Sequence, residues 1–352
     1  MEKKDIRSLS YRELEELLVS YGEKSFRAKQ VYEWVHQKLV PSFADMTNLS
    51  KNLREKLEEH FCISPLSVVD KRVSQNDGTA KFLFQLQDKR VIESVLMKYK
   101  HGNSVCISSQ VGCRMGCRFC ASTLGGLERN LTPGEMLSQI YEIQRNTGER
   151  VSNVVVMGTG EPLDNYDNLI SFIRMLTDEK GLHISQRNIT VSTCGIVENI
   201  RRLADEKLQI TLAISLHAPD DETRKELMPI ANKYTIQEIF DACNYYFEVT
   251  GRRISFEYSL VEGVNANEKE AHKLGELLKS RLAPNAHAHV NLIPVNKIKE
   301  RNYRHGAESE IINFKNIVEK YGINVTIRRE MGSDIDAACG QLRKSYLDQS
   351  NS

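Results

Sequence analysis

The spacing of apolar residues divides the chain into three stretches. Over the first sixty residues the period is helical. Ser10 and Glu13 make a capping box ahead of Leu14, Leu17, Leu18 and Tyr21, which fall on one helical face. A second helix carries Val31, Trp34 and Val35, and a third carries Leu49, Leu53 and Leu57. The period then shortens to two. After an Asn76-Asp77-Gly78 turn, Phe82, Phe84 and Leu86 alternate with Lys81, Leu83 and Gln85, which predicts a hairpin strand. Its partner runs through Val91, Glu93, Val95 and Met97. From residue 103 onward, strand, loop and helix repeat. Apolar runs at Val105–Ser108, Val154–Met157, Ile189–Ser192, Ile210–Leu216, Ile254–Val261 and Val290–Ile293 alternate with helical stretches, one of them opening on the capping box Thr132-Pro133-Gly134-Glu135. About six βα units imply an α/β chain with a parallel sheet, open or curled toward a barrel. Right-handed crossovers put the loops after each strand on one rim, where the sites of such folds gather. The expected organisation is a helical domain at 1–62, a β-hairpin extension at 63–102, the βα region at 103–347 and a frayed tail at 348–352.

Composition narrows the setting. The 352 residues are 40% hydrophobic and 27% charged, ordinary for a chain that buries a core. Lys and Arg number 48 against 47 Asp and Glu, a net charge of +1, which argues against a histone-like polycation but leaves room for a local basic face. No run approaches the roughly 20 apolar residues of a membrane span, and the opening MEKKDIRSLSYRELEELL lacks the apolar centre of a signal peptide. A reducing cytoplasm is expected, where 8 cysteines serve as metal ligands, catalytic thiols or core residues.

The sharpest chemical signal is Cys113-Arg-Met-Gly-Cys117-Arg-Phe-Cys120, just after the first strand of the βα region. Three thiolates at this spacing can hold three irons of a cubane cluster and leave the fourth iron open to a small molecule. A structural zinc takes four protein ligands. The next cysteine is Cys194, so zinc would need a distant fourth ligand, and a plain set of core cysteines is the other bland alternative. A CxxxCxFC loop after a strand resembles the signature of the radical S-adenosylmethionine superfamily. The wider string from Cys106-Ile-Ser-Ser-Gln-Val-Gly-Cys113 through Cys120-Ala-Ser-Thr and Arg129-Asn-Leu resembles the RlmN/Cfr branch, and the likeness extends to Asp336-Ala-Ala-Cys339-Gly-Gln-Leu. That branch methylates unreactive adenine carbons in RNA.

The resemblance implies a partial (β/α)6 barrel with a small N-terminal helical accessory domain and a β extension. It implies a [4Fe–4S] cluster on Cys113, Cys117 and Cys120, and S-adenosylmethionine held by Gly160, Glu161, Ser192, Ser215, Leu216, His217 and Asn296. Family members usually read GMGEPL where this chain has Gly158-Thr159-Gly160-Glu161-Pro162-Leu163, a departure at a position where backbone makes the contact. Taken alone, a GxGE loop reads as a turn, a Ser or Asn after a strand as a cap, and His217 as a structural histidine. Cys339 becomes the methyl carrier, Cys106 the thiol that resolves the RNA adduct and Glu93 the proton acceptor. One S-adenosylmethionine methylates Cys339; a second, cleaved reductively, activates the S-methyl group. Cys62, Cys194 and Cys243 match no motif and read as core or incidental.

Partners follow in the same way. The resemblance implies 23S ribosomal RNA and tRNA as substrates, an electron donor such as flavodoxin, and a monomer without membrane contact. Arg114, Arg118, Arg129, Lys98, Lys100, Arg252, Arg253, Lys297 to Arg304, Arg328 and Arg329 are candidates to hold phosphates, each against the alternative of a solvated surface charge. The helical domain, with Lys29, Trp34, His36 and Lys38, is a candidate RNA-docking module. Pro162, Ala121-Ser122-Thr123 and Gly125-Gly126-Leu127 resemble the RlmN type, which methylates C2, more than the Cfr type, which methylates C8 and confers antibiotic resistance. Two other classes stay open: a radical enzyme that acts on a protein or peptide, and a non-catalytic RNA-binding protein with a structural metal.

Overall fold

The computed structural model describes residues 3–64, 66–286, 288–294, 306–329, 331–335, 342–343 and 346. Its helical unit holds α1 (Tyr11–Ser20), α2 (Phe26–His36) and α3 (Lys51–His60). Ser10 accepts from the Glu13 amide while Glu13 accepts from the Ser10 amide, and Ser50 caps α3 through the Leu53 amide. Leu14, Leu18, Val31, Val35, Leu49, Leu53 and Leu57 close a core of their own, with Leu17, Tyr21 and Trp34 at its edge.

The rest of the chain is organised by one ten-stranded sheet whose spatial order is the chain order. β1 (Ser67–Val73), β2 (Ala80–Gln85), β3 (Val91–Tyr99) and β4 (Gly102–Cys106) pair antiparallel. From β4 the sheet continues parallel through β5 (Val151–Val156), β6 (Ile189–Thr193), β7 (Thr211–Ser215), β8 (Ile254–Leu260), β9 (Ala288–Pro294) and β10 (Asn324–Ile327). The crossovers carry α4 (Pro133–Thr147), α5 (Tyr166–Thr177), α6 (Val197–Asp205), α7 (Asp221–Leu227), α8 (Ile236–Thr250), α9 (Glu268–Arg281) and α10 (Glu308–Glu319). β10 adds a parallel strand to the six expected from sequence; its Asn-Val-Thr-Ile is too short and polar to signal itself. Cys106 of β4 and Ile327 of β10 line the same cavity, so the parallel strands curl around it.

The hairpin departs from its pattern. β2 alternates in sequence, yet Ala80 through Phe84 are all buried. Phe82 and Phe84 join the main core. On the opposite face, Leu83 and Val91 are covered by Leu342 and Tyr346. The covering segment is 250 residues further along where Arg343 meets Glu93, so no local periodicity can announce it.

The helical unit docks on α4 through a buried polar seam. Arg7 is fully buried and donates to Ser138 Oγ at 3.0 Å and to the Ser64 carbonyl at 3.2 Å. Gly134 leaves the space that this approach needs, since a Cβ there would stand 2.6 Å from Ser8 Oγ. His36 Nδ1 lies 2.6 Å from the Tyr141 hydroxyl. Burial, aided by the Arg7 charge, lowers its pKa to about 3 from the ordinary 6.5. A folded pKa below the unfolded one gives stability that is complete above about pH 6.5 and is lost as pH falls toward about 3. Asp5, pushed up to about 6 chiefly by burial, works in the opposite direction, so the comparison needs a variant. Between pH 7 and pH 5 the wild type is expected to lose up to about 2 kcal/mol more than His36→Phe in urea unfolding. Equal pH dependence in the two proteins would contradict a neutral, buried His36.

Candidate active site

A cavity of about 840 Å³ opens at the carboxyl ends of the parallel strands. Its wall brings together Cys106, Cys113, Cys117, Cys120, Gly160, Glu161, Ser192, Ser215 and His217.

The three cysteines sit on a loop pinched at its base by a two-stranded ribbon, Gln110–Gly112 with Leu127–Asn130. The pinch requires glycine: Gly112 has φ +76°, and a Cβ on it would overlap the Gly126 carbonyl oxygen at 1.9 Å. Cys113 donates its amide to that carbonyl at 2.9 Å. Inside the loop, Thr123 Oγ1 donates to the carbonyls of Cys117 and Cys120, at 3.2 and 2.9 Å. The thiols lie among Met115, Leu227, Met228 and Val261. Burial pushes the Cys113 thiol up to about 12 and raises Cys117 as well, the latter helped by its neighbouring thiols. As free groups these sulfurs therefore stay protonated, and a bound cation is what turns such thiols into thiolates. All three cysteines line the cavity, and among the described residues no three His, Cys, Asp or Glu are placed to hold a single metal ion. A cubane, in which each thiolate takes a different iron, fits that donor set.

Beside this loop, Gly158 to Glu161 turn back from β5 against the segment leaving β4. Ser109 and Gln110 donate their amides to the Thr159 carbonyl, at 2.9 and 3.2 Å, and Gly158 donates to Ile107 at 2.9 Å. A Cβ on Gly158 would stand 2.7 Å from the Ile107 carbonyl, and one on Gly160, at φ +109°, 2.6 Å from Gln110 Cβ. Two backbones thus touch where side chains would hold them apart. Thr159 is buried, with its hydroxyl 3.4 Å from Ser122 Oγ and away from the cavity wall. Glu161 lines the cavity but spends both oxygens on backbone, accepting from Cys194 at 2.7 Å and Leu163 at 3.0 Å. Burial raises its pKa against those bonds.

On the far wall, Ser192 and Ser215 hydroxyls stand 3.5 Å apart. Leu216, by contrast, points into the main core and meets no cavity surface. His217 has φ +57°, a strained value for a residue with a Cβ, held by Asn265 Nδ2 donating to its carbonyl at 2.7 Å. Its Nδ1 accepts from the Ser259 amide at 2.9 Å. Burial, with Arg224 adding, lowers its pKa to about 3. The ring is therefore neutral with its proton on Nε2, a donor available to a ligand.

Glu93 lies on β3, buried, on the face shared by the cavity-lining Val95 and Met97, but it is not itself part of the wall. Its carboxylate meets Lys81 at 3.3 Å and accepts from the Arg343 amide. Cys339 and Asn296 lie outside the described residues. Both flanks of the Cys339 segment are tied to the antiparallel strands. Gly332 donates to Asp77 Oδ2, and Gln75 donates to Asp334 Oδ2, both at 3.0 Å. On the other side Arg343 donates from Nε to the Val91 carbonyl at 2.9 Å.

Other placements correct the sequence reading. Cys194, taken as core or incidental, lines the cavity, as do Glu257 and Ser259. Glu257 accepts from Asn291 Nδ2 at 2.8 Å, and burial raises its pKa. Its signal in the sequence is a lone acid inside an apolar strand. Cys243 is buried in the main core. Several candidate phosphate ligands are already committed: Arg114 to Asp164, Arg129 to Asp88 and Glu135, and Lys98 to Glu149. Arg328 and Arg329 instead line the cavity; Lys297 to Arg304 fall outside the described residues.

The glycine contact gives a direct test. Gly160→Ala combines a left-handed backbone with a steric overlap and is expected to cost about 1–3 kcal/mol of stability. It should weaken S-adenosylmethionine binding by about tenfold or more in calorimetry of cluster-loaded protein. Wild-type affinity in that variant would show that the turn is no cradle.

Known proteins resemble this chain along nearly its whole length. Residues 4–63 match the ribosomal RNA large subunit methyltransferase N-terminal domain, and residues 107–275 match the radical SAM superfamily. A protein of Lachnoclostridium phytofermentans, described as a probable dual-specificity RNA methyltransferase RlmN, is 62% identical over 99% of this chain and 96% of its own. One of Lachnospira eligens with the same description is 64% identical over 98% and 97%. The crystal structure of a radical SAM methyltransferase from Sphaerobacter thermophilus superposes with a TM-score of 0.90, at 42% identity, covering 96% of this chain and 98% of that one. On fold, cavity and kinship together, the chain belongs to the RlmN family of radical S-adenosylmethionine RNA methyltransferases.

Proposed function

We propose that this enzyme methylates C2 of a specific adenosine in 23S ribosomal RNA, at the peptidyl-transferase centre, and of the adenosine 3′ of the anticodon in tRNAs. One observation carries the reading: a loop of three cysteines, a glycine cradle and a separate thiol, Cys106, share one cavity in a chain akin to dual-specificity RNA methyltransferases.

Adenine C2 is neither nucleophilic nor attached to an acidic hydrogen, so displacement at a sulfonium stalls there. When bound, a [4Fe–4S] cluster and S-adenosylmethionine supply the one-electron chemistry that such a carbon needs. Cys113, Cys117 and Cys120 would hold the cluster. Gly160, Glu161, Ser192, Ser215, Leu216, His217 and Asn296 would hold the cofactor. Their contributions differ: backbone at 160–161, hydroxyls at 192 and 215, and a neutral imidazole donor at 217, while Leu216, outside the wall, acts by placing its two neighbours. Cys339 carries the methyl group to the ring, and Glu93 takes the ring proton. Cys106, as thiolate, then attacks the Cys339 sulfur; the S–S bond forms as the carbon–sulfur bond breaks, and the departing carbon keeps that electron pair and takes up a proton to become the methyl group. That disulfide must be reduced before the next turnover, which suits a cytoplasmic enzyme served by a flavodoxin-type donor and cellular thiols. The target base has to leave its stack to reach the cavity.

The test is methylation of unmodified ribosomal RNA and tRNA by anaerobically reconstituted enzyme, with nucleosides identified by mass spectrometry. The expected product is 2-methyladenosine, abolished in Cys339→Ala while the cluster is retained. Accumulation of 8-methyladenosine would transfer the enzyme to C8 chemistry. Undiminished product in Cys339→Ala would remove the methyl-carrier role.

A further inference from the structure

Lys81 has no explanation in the periodicity of its strand. It alternates with Phe82 and Phe84, which join the main core, yet its own side chain is fully buried on the other face, with Nζ 3.3 Å from Glu93 Oε2. The register shows what surrounds it. Lys81 stands directly across from Val95, and Val95 directly across from Cys106. The three make a row over β2, β3 and β4 on the face that meets the cavity at Val95 and Cys106. Glu93, two residues before Val95, shares that face and is diagonal to both Lys81 and Cys106. Diagonal neighbours in a pleated sheet lie about 7–8 Å apart, within reach of long side chains.

The neighbouring cation is directed elsewhere. Arg343 gives its backbone amide to Glu93 Oε1, while its guanidinium goes to Glu128 at 2.5 Å and to the Val91 carbonyl. A buried ion pair is weak evidence of stability, because desolvating two charges offsets much of their attraction. Apolar side chains would pack this face at least as well. The pair therefore calls for another reason.

We propose that Lys81 is a positioning residue for the proton-transfer step: its ammonium aims the Glu93 carboxylate from the strand face that carries Val95 and Cys106 to the cavity. This rests on the reading of Glu93 as proton acceptor. In that step the ring C–H bond breaks, its electron pair stays on the ring, and an O–H bond forms on Glu93. Lys81 takes no part in the proton transfer itself; it donates to the carboxylate, so its role is geometric and electrostatic.

Lys81→Met, Lys81→Arg and Glu93→Gln are compared in reconstituted full-length enzyme. Iron and sulfide content, melting temperature, RNA affinity, product formed at saturating RNA, and covalent RNA–protein adduct on denaturing gels are measured. Lys81→Met is expected to keep its cluster, and its RNA affinity within about twofold. It should lose about tenfold to a hundredfold in product formation and accumulate adduct, as a defect after ring attack should. Lys81→Arg should recover much of the rate. Should the Met variant melt early, Lys81→Gln replaces it. Wild-type turnover in the uncharged variant, or a loss that merely follows RNA affinity or cluster content, overturns the proposal. If Glu93→Gln stalls while the uncharged Lys81 variant turns over normally, the role of Lys81 alone fails. Full turnover in Glu93→Gln would instead sink the base assignment and this inference with it.

Discussion

Ser108 and Gln139 form a buried polar hub on which the geometry of the cavity depends. Gln139 Oε1, from α4, accepts from the Ser108 amide at 2.8 Å and from Ser94 Oγ at 2.7 Å, while its Nε2 donates to the Ser108 carbonyl at 2.9 Å. Ser108 Oγ donates to the Glu93 carbonyl at 2.8 Å and accepts from the Thr159 amide at 3.1 Å. One hydroxyl and one amide thus lock together β3, the end of β4, α4 and the glycine cradle. Both residues are fully buried, so losing either partner strands polar groups at about 1–3 kcal/mol each. Glu93, Cys106 and the cradle keep their relative positions because they hang from this hub.

The same economy of buried polar groups recurs around the rest of the wall. Arg224 is fully buried and donates to the Cys194 carbonyl at 2.6 Å and the Leu216 carbonyl at 3.2 Å, holding the loops after β6 and β7. Glu161 reaches the Cys194 amide from the other side. These charges are spent on backbone and shape the rim; they are poor candidates for acid–base chemistry. His217 differs in role: it accepts from the Ser259 amide through Nδ1 and, as a neutral ring, faces the cavity as a hydrogen-bond donor.

The antiparallel strands also gain a purpose. They extend the sheet beyond β4, and they receive both flanks of the Cys339 segment. The Asp77 carboxyl, held at about 2 despite burial by amides of Gly332 and Thr79, anchors one flank. The other flank is anchored by Arg343 over Val91 and Glu93. In sequence, the proposed methyl-carrying Cys339 falls between these two anchors, one on the turn at Gln75–Asp77 and the other on the strand that bears the proposed base.

By itself the sequence determined the helical caps, the alternation of strand and helix, and the thiol triplet, because each is written in residues a few positions apart. The capping boxes at Ser10 and Thr132 and the glycines at 158 and 160 are of this kind. Only the tertiary structure decided which polar residues are buried, and with whom. Lys81, a charged residue in an alternating strand, is buried because a segment far along the chain covers its face. Arg114 and Arg129 read as phosphate ligands or as surface charges balanced by nearby acids, and Asp164, Asp88 and Glu135 supply those acids. Cys194 read as core or incidental; it is buried beside the cysteine loop and also forms part of the cavity wall. Charge pairing and cavity lining depend on contacts between distant strands, and local periodicity carries no record of them.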